Sequence, residues 1–178
     1  MSQREIERRR KLILTYYQDI VLYLSKFELS KEDLKDAIDE TFITAYENVG
    51  SLRNEDSARN WLITIARHTG LKYKKVYKKE APVSFIEAIT DCGANEVWED
   101  DAAVEVIKKA DSQLLKECLA KLNDKEYKVI VLQYKYDEKL KDIALILGEN
   151  LNNVKSISKR AKEKLKKLLI EGGYTHGK

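Results

Sequence analysis

An all-α fold, two small helical bundles joined by a flexible acidic linker with the C-terminal bundle a helix-turn-helix, is what this sequence predicts, and three observations predict it. Apolar residues recur three and four apart along most of the chain, the spacing of one helix face. One Pro and seven Gly punctuate 178 residues, and Lys, Glu, Leu, Ile and Ala dominate, a composition that favours helix. The periodicity lapses once, over residues 81 to about 103, inside a stretch from Ala81 to Val106 that holds seven acids and no Lys or Arg. No segment alternates as a strand would. The expected domains are 1–80, a linker 81–107, 108–172 and a tail 173–178.

The elements follow in order. Ile6, Leu12, Ile13, Tyr16, Tyr17, Ile20, Val21, Leu24 and Phe27 predict one amphipathic helix over residues 3–27. Ser30 is a helix cap, and Leu34, Ala37, Ile38, Thr41, Phe42, Ala45, Tyr46 and Val49 carry a second helix that Gly50 should end. After the polar run SLRNEDS, Ala58, Trp61, Leu62, Ile65, Ala66, Tyr73, Val76 and Tyr77 predict a third helix reaching Lys79. Pro82 disfavours helix at Ala81, and a short turn is expected at 85–89. Leu114, Leu115, Cys118, Leu119 and Leu122 begin the second bundle. Asn123 or Asp124 caps the next helix, with Tyr127, Ile130, Val131 and Tyr134 inward. Leu140, Ile143, Ala144 and Leu147 make a third, closed by Gly148, which can take positive φ. The last starts near Asn152 and turns Val154, Ile157, Ala161, Leu165 and Leu168 inward, with Leu151 plugging the angle before it.

The composition excludes several classes. Every apolar run is short and broken by charge, so no membrane span is expected. The basic start MSQREIERRRK lacks the apolar core of a secretory signal, which points to the cytoplasm. Cys92 and Cys118 form no CxxC pair and His68 and His176 are isolated, so no metal or other cofactor is expected. No nucleophile–base pairing or phosphate loop suggests an enzyme.

The net charge of +3 hides a basic–acidic–basic order. Arg67 to Lys79 has six Lys/Arg and no acid, and Lys155 to Lys167 has seven against Glu163 alone. A helix, a Gly-containing turn and a basic amphipathic helix form a helix-turn-helix pattern. Seated in a major groove, the last helix would present Asn152, Asn153, Lys155, Ser156, Lys159 and Arg160, which fall outside its apolar stripe. In the other block, cations interleave with Trp61, Tyr73 and Tyr77, a mixture suited to single-stranded nucleic acid, although Trp61 lies on the apolar stripe and is more often core. Two cationic helices on a tether suggest two contacts with one extended polyanion.

The stretch DLKDAIDETFITAYENVGSLRNEDSARNWLITIARHTGLKYKK, residues 33–75, resembles the second conserved region of bacterial sigma-70 factors. LAKLNDKEYKVIVLQYKYDEKLKDIALILGENLNNVKSISKRAKEKL, residues 119–165, resembles their fourth. With only these two regions, the chain is similar to the extracytoplasmic-function subgroup. The resemblance implies a dissociable, non-enzymatic subunit of RNA polymerase that recognises promoters. It implies that Asp36, Asp39, Glu40, Phe42 and Tyr46 dock on the clamp helices of the polymerase β′ subunit. Arg53, Asn54 and Ser57 would receive a base flipped from the minus-ten element, and Arg59, Asn60, Trp61, Arg67, His68 and Lys72 would hold the strand and upstream duplex. The helix-turn-helix would read the minus-thirty-five element while its bundle sits on the flap of the β subunit. Many members are also held by an anti-sigma factor.

The sequence departs from the family's usual pattern at His68 (Asn), Lys139 (Ser or Thr, so that Asp137 or Glu138 would cap instead), Glu149-Asn150 (aliphatic-Ser) and Ile157 (Arg). Two readings stand beside this one. One is a helix-turn-helix regulator that binds duplex DNA as a dimer without polymerase; in the other, the basic helices meet an acidic protein or a membrane surface.

Overall fold

The computed structural model describes residues 2–74 and 112–174, which are helical without a strand among them and gather into two compact units. The first holds α1 (Gln3–Thr15), α2 (Tyr17–Leu24), α3 (Lys31–Glu47) and α4 (Ala58–Tyr73). The second holds α5 (Ser112–Ala120), α6 (Asp124–Tyr134), the start of α7 (Leu140–Leu147) and α8 (Leu151–Glu171). The expected helix beyond Lys74, the linker 81–107, the turn at 85–89, Cys92 and His176 lie outside the described residues.

In the first unit, the single helix expected over 3–27 is interrupted. At Tyr16 the backbone leaves the helical well (φ −91°, ψ 7°), and its N–H turns back to the Ile13 carbonyl. Beside it the Thr15 hydroxyl donates to the Leu12 carbonyl at 2.7 Å, a local bond that competes with the helical ladder. A 3₁₀ turn, Ser25–Phe27, then runs into Glu28 in the left-handed region (φ 57°). The chain re-enters helix through Ser30, whose side chain accepts from the Asp33 N–H at 3.0 Å, with Glu32 and Asp33 in the favourable first turn.

Gly50 does not end α3. The helix stops at Asn48, whose amide donates to the Thr44 carbonyl at 2.9 Å, and Gly50 lies within a 3₁₀ turn, Val49–Ser51. Asn48 takes the stop because its own side chain satisfies a terminal carbonyl.

α4 is the axle of this unit. Ala58, Leu62, Ile65 and Ala66 are fully buried, Trp61 and Ile63 nearly so, and α1, α2 and α3 each pack against it. A helix apolar nearly all round belongs inside. Its buried Thr64 and Thr69 hydroxyls are satisfied by the Asn60 and Ile65 carbonyls. Gly70 is where Phe27 approaches: a Cβ there would meet the Phe27 ring at 2.7 Å and Leu24 Cδ2 at 2.9 Å. Gly70→Ala gains about 1 kcal/mol of helix propensity but overpacks a site whose neighbours are wholly buried, at a cost of about 1–3 kcal/mol. The expected net is a loss of about 1 kcal/mol, read as a lower denaturant midpoint at unchanged slope; a raised midpoint contradicts the packing.

In the second unit, Asn123 caps α6 by accepting the Glu126 N–H at 2.9 Å, and the Glu126 carboxylate accepts the Asn123 N–H at 3.0 Å. This capping box satisfies two orphan donors at once. Burial alone would raise the Glu126 pKa, but the Asn123 N–H and Lys164 hold it below the ordinary value. α8 packs on α6 and α5 around Cys118, Leu122, Ile130, Ala161, Leu165 and Leu169. One buried polar pair, Ser158 Oγ donating to Gln133 Oε1 at 2.8 Å, joins α8 to α6. The periodic reading differs in detail: Tyr127, Val131, Tyr134, Leu140, Leu147 and Leu168 are half-buried, while Val129, Leu132, Ile146 and Leu169 are fully buried. The first bonds of α7 run to the Lys139 carbonyl, so Lys139 occupies the backbone cap position, with Asp137 in the left-handed region (φ 56°) and Glu138 buried.

Candidate nucleic-acid interface

α7 ends where Gly148 adopts φ 68°. The Glu149 N–H reaches the Ala144 carbonyl at 2.9 Å and the Gly148 N–H reaches that of Leu145 at 3.2 Å, the paired bonds of a Schellman stop. Two residues later α8 begins, capped by the Asn150 side chain, which accepts the Asn153 N–H at 2.8 Å. Leu151 does not plug the angle: it is 38% exposed at the first position of α8. A residue there lies in the opening turn, ahead of the apolar stripe that starts at Val154.

α8 then divides by face. Val154, Ile157, Ser158, Ala161 and Leu165 are buried, while Asn152, Lys155, Ser156, Lys159 and Arg160 are exposed and Asn153 is half-buried. The cations also differ in pairing. Lys164 is tied to Glu126 at 3.0 Å and Lys167 lies 3.8 Å from Glu171. Among the described residues, Lys155 and Lys159 have no carboxylate within salt-bridge distance. Two uncompensated charges, Lys155 and Lys159, therefore stand in the N-terminal half, and the first turn adds the positive end of the helix dipole. Such an end can accept phosphates and present side chains to base edges.

In the first unit, the turn from Leu52 to Ala58 brings Asn54 and Ser57 together. Asn54 Oδ1 accepts from the Asp56 N–H at 3.1 Å, and Ser57 Oγ donates to the Asn54 carbonyl at 2.7 Å. Arg53, Asn54 and Ser57 are exposed above Leu52, which is buried. α1 holds this turn in place: Arg9 Nη1 donates to the Leu52 carbonyl at 2.6 Å, and Arg8 pairs with Glu55 at 2.6 Å. Sequence spacing carries no trace of these two supports, because they join segments far apart in the chain through side-chain tips.

The α4 candidates do not share one face. Asn60 and Arg67, seven apart, lie on the same side; Arg59 and Lys72 are turned from it by about 100° and 120° in opposite senses. Arg59 Nε pairs with Asp19 of α2 at 2.7 Å, and Lys72 Nζ with Glu40 of α3 at 2.7 Å. Both therefore tie α4 to its neighbours. Asn60 is exposed and Arg67 and His68 are half-buried. Trp61 is 6% exposed, so its ring is core and offers no stacking face; its Nε1 lacks a hydrogen-bond partner. Its place on the apolar stripe agrees with this, as Ala58, Thr64 and Ile65, three and four residues away, are buried too.

On α3, Asp36 and Asp39 are exposed, with Glu40 half-buried beside them. Glu40 accepts from Lys72 at 2.7 Å and from the Tyr73 hydroxyl at 3.0 Å; burial and this carboxylate raise the Tyr73 pKa. Phe42 is not on the surface: it is 7% exposed and packs on Tyr17 with ring centroids 5.5 Å apart. Tyr46 is half-buried under the Arg10 guanidinium, 5.7 Å from its ring centroid. Ile43, which apolar spacing does not mark, is 57% exposed on the same face as Asp36 and Asp39. The signal for it was an apolar residue lying off the apolar stripe.

Comparison with known proteins places both units. Residues 12–79 match the family model "Sigma-70 region 2" and residues 118–167 match "Sigma-70, region 4". The chain is 32% identical over 152 residues to the RNA polymerase sigma factor YlaC of Bacillus subtilis, covering 85% of this chain and 86% of that protein. It is 26% identical over 157 residues to the ECF RNA polymerase sigma factor SigM of the same organism, covering 88% and 92%. Among solved structures, it aligns with the sigma factor RpoE of Bartonella quintana, determined in complex with the anti-sigma factor NepR, at 20% identity and a TM-score of 0.41, over 89% of this chain and 94% of that one. No helix among the described residues is long and apolar enough to cross a membrane.

Proposed function

Because this chain belongs to the sigma-70 family, in its extracytoplasmic-function group, we propose that it acts as a dissociable specificity subunit of RNA polymerase. It binds the core enzyme, recognises promoter DNA, assists melting and starts transcription, and it is not itself an enzyme. The observation that carries this reading is the occurrence of region 2 and region 4 in one chain, in that order, each matching one of the two helical units. A helix-turn-helix regulator working alone would leave the α1–α4 unit without a role.

The division of labour we propose is residues 1–80 for core polymerase and the minus-ten element, 81–107 as linker, 108–172 for the minus-thirty-five element, and 173–178 as tail. The exposed turn Arg53–Asn54–Ser57 takes the flipped base, and Asn60, Arg67 and His68 hold the strand beside it. Arg59 and Lys72 join them only by leaving Asp19 and Glu40, exchanges that cost little for partly exposed pairs. Trp61 serves from beneath, as the core on which that surface rests. The α8 face Asn152, Asn153, Lys155, Ser156, Lys159 and Arg160 reads the minus-thirty-five element, and the surrounding unit rests on the β flap. Asp36, Asp39 and Glu40, with Tyr46 at the edge and Phe42 packed behind, meet the β′ clamp helices. The complex works in the cytoplasm, and an anti-sigma factor is a further partner.

The test is run-off transcription with core polymerase on a genomic library. Transcripts that start at defined sites only when the chain is present support the reading; co-migration with core polymerase without any defined start overturns it. A second expected outcome concerns α3. Asp39→Arg reverses an exposed charge on the proposed docking face and is expected to weaken polymerase binding by about 2 kcal/mol, roughly thirtyfold, with the helical signal unchanged. Undiminished co-purification removes this face from the contact.

A further inference from the structure

Glu149 lies in the turn between α7 and α8, and its carboxylate is shared by two donors. Lys125 Nζ, on α6, donates to Oε1, and Asn153 Nδ2, in the first turn of α8, donates to Oε2 at 2.7 Å. The hydrogen bonds from Lys125 and Asn153, together with the Lys125 charge, hold the Glu149 pKa below its ordinary value. The group is thus ionised at neutral pH, and an ionised carboxylate only accepts hydrogen bonds.

That fact fixes the Asn153 side chain. An asparagine amide can be turned either way unless a partner decides between its oxygen and its nitrogen. Here the nitrogen must face Glu149, because two oxygens opposed would repel. The Asn153 backbone is held at the same time, its N–H donating to Asn150 Oδ1 at 2.8 Å. One amide proton is therefore spent inside the turn, and the amide oxygen and second proton remain. An acceptor and a donor side by side match N6–H and N7 of adenine in the major groove.

We propose that Glu149 is a positioning residue for base readout: it sets the Asn153 amide so that Asn153 selects adenine in the upstream promoter element. The assignment rests on the reading of α8 as the helix that enters the major groove. Lys125 has the lesser part of holding Glu149 in place. Nothing in this arrangement depends on Lys155 or Lys159, which contribute affinity rather than choice of base.

The experiment uses the full chain assembled with core polymerase. Wild type selects duplexes from a library randomised across the upstream element, and Asn153→Ala identifies the position whose preference Asn153 supplies. A single well-placed amide contact is worth about tenfold between adenine and the other bases. Glu149→Ala is expected to cut that preference to about twofold or less, with the other positions and the salt dependence of binding unchanged. Glu149→Gln, which keeps the shape but lets the amides pair in either sense, is expected to fall between; it also serves if the alanine variant is poorly folded. A full adenine preference in both Glu149 variants overturns the proposal while leaving the role of α8 intact. So does an equal fall at every position, which would mark Glu149 as merely structural. If wild type selects no sequence through α8, and Lys155→Ala with Lys159→Ala changes nothing, the reading of α8 fails and takes the proposal with it.

Discussion

Leu165→Ala is expected to cost the C-terminal unit about 3 kcal/mol, a third or more of its stability, and so to lower the protection of α5–α8 against hydrogen exchange by roughly a hundredfold. Leu165 is fully buried at the centre of α8, among Cys118, Leu122, Ile130, Ala161 and Leu169. Removing the Cγ methine and its two methyl groups there forfeits their transfer free energy and leaves a cavity that a small helical core closes only in part. A unit of roughly sixty residues is worth only about 3–9 kcal/mol in total, so the same loss that a large protein absorbs is decisive here. Amide exchange followed residue by residue is the measurement. Protection is expected to fall by about that factor over residues 112–174, and that over α1–α4, whose core does not include Leu165, to persist. Recognition of the upstream element is weakened along with α8, and polymerase binding through α3 is retained. Wild-type protection in α8 would mean that the cluster is not what holds this unit together.

Much of this architecture could be read from spacing because spacing reports burial. Ser30 and Asn123 stand where side-chain oxygens meet orphan N–H groups, and both act as caps. Val154, Ile157, Ala161 and Leu165 form a stripe and are buried as one. Glycine was a less reliable guide. Gly148 and Gly50 each follow an apolar helix, yet only Gly148 takes positive φ, because Asn48 had already ended α3 with its own amide. The break at Tyr16 was hidden for a related reason: Ile13, Ile20 and Leu24 keep helical spacing across it, so the apolar pattern continues although the backbone ladder does not.

The candidate site was legible in residue type and less so in geometry. Composition finds a basic helix but not which of its cations its own acids have already engaged. Lys164 and Lys72 are bound to Glu126 and Glu40, partners 38 and 32 residues away. Aromatic residues divide in the same way. Trp61 and Phe42 carry the family's expected roles in sequence, yet both are inside, since a residue on the apolar stripe of a packed helix has little access to solvent. Arg8 and Arg9, which support the turn bearing Arg53, Asn54 and Ser57, gave no signal beyond a basic N-terminus.

Lys155→Ala combined with Lys159→Ala is expected to weaken binding to the upstream duplex by roughly sixtyfold at 0.1 M salt and to lower the salt slope by about two units. Both lysines are exposed, both lie off the buried stripe, and neither has an acid within salt-bridge distance among the described residues. Each is therefore free to displace counterions from a phosphate without first breaking a bond of its own. A phosphate contact contributes close to one unit of slope, hence roughly eightfold at 0.1 M, and two independent contacts multiply. The paired cations provide the internal control. Lys164→Ala removes a charge from the same helix, but Glu126 already neutralises that charge at 3.0 Å, so its effect on the slope is expected to be well under one unit. The ratio of the two slopes, measured on one duplex across a salt series, separates a surface that reads DNA from a helix that is merely basic. Equal effects per lysine would mean that net charge alone attracts the duplex, and that the N-terminal half of α8 is not seated in the groove.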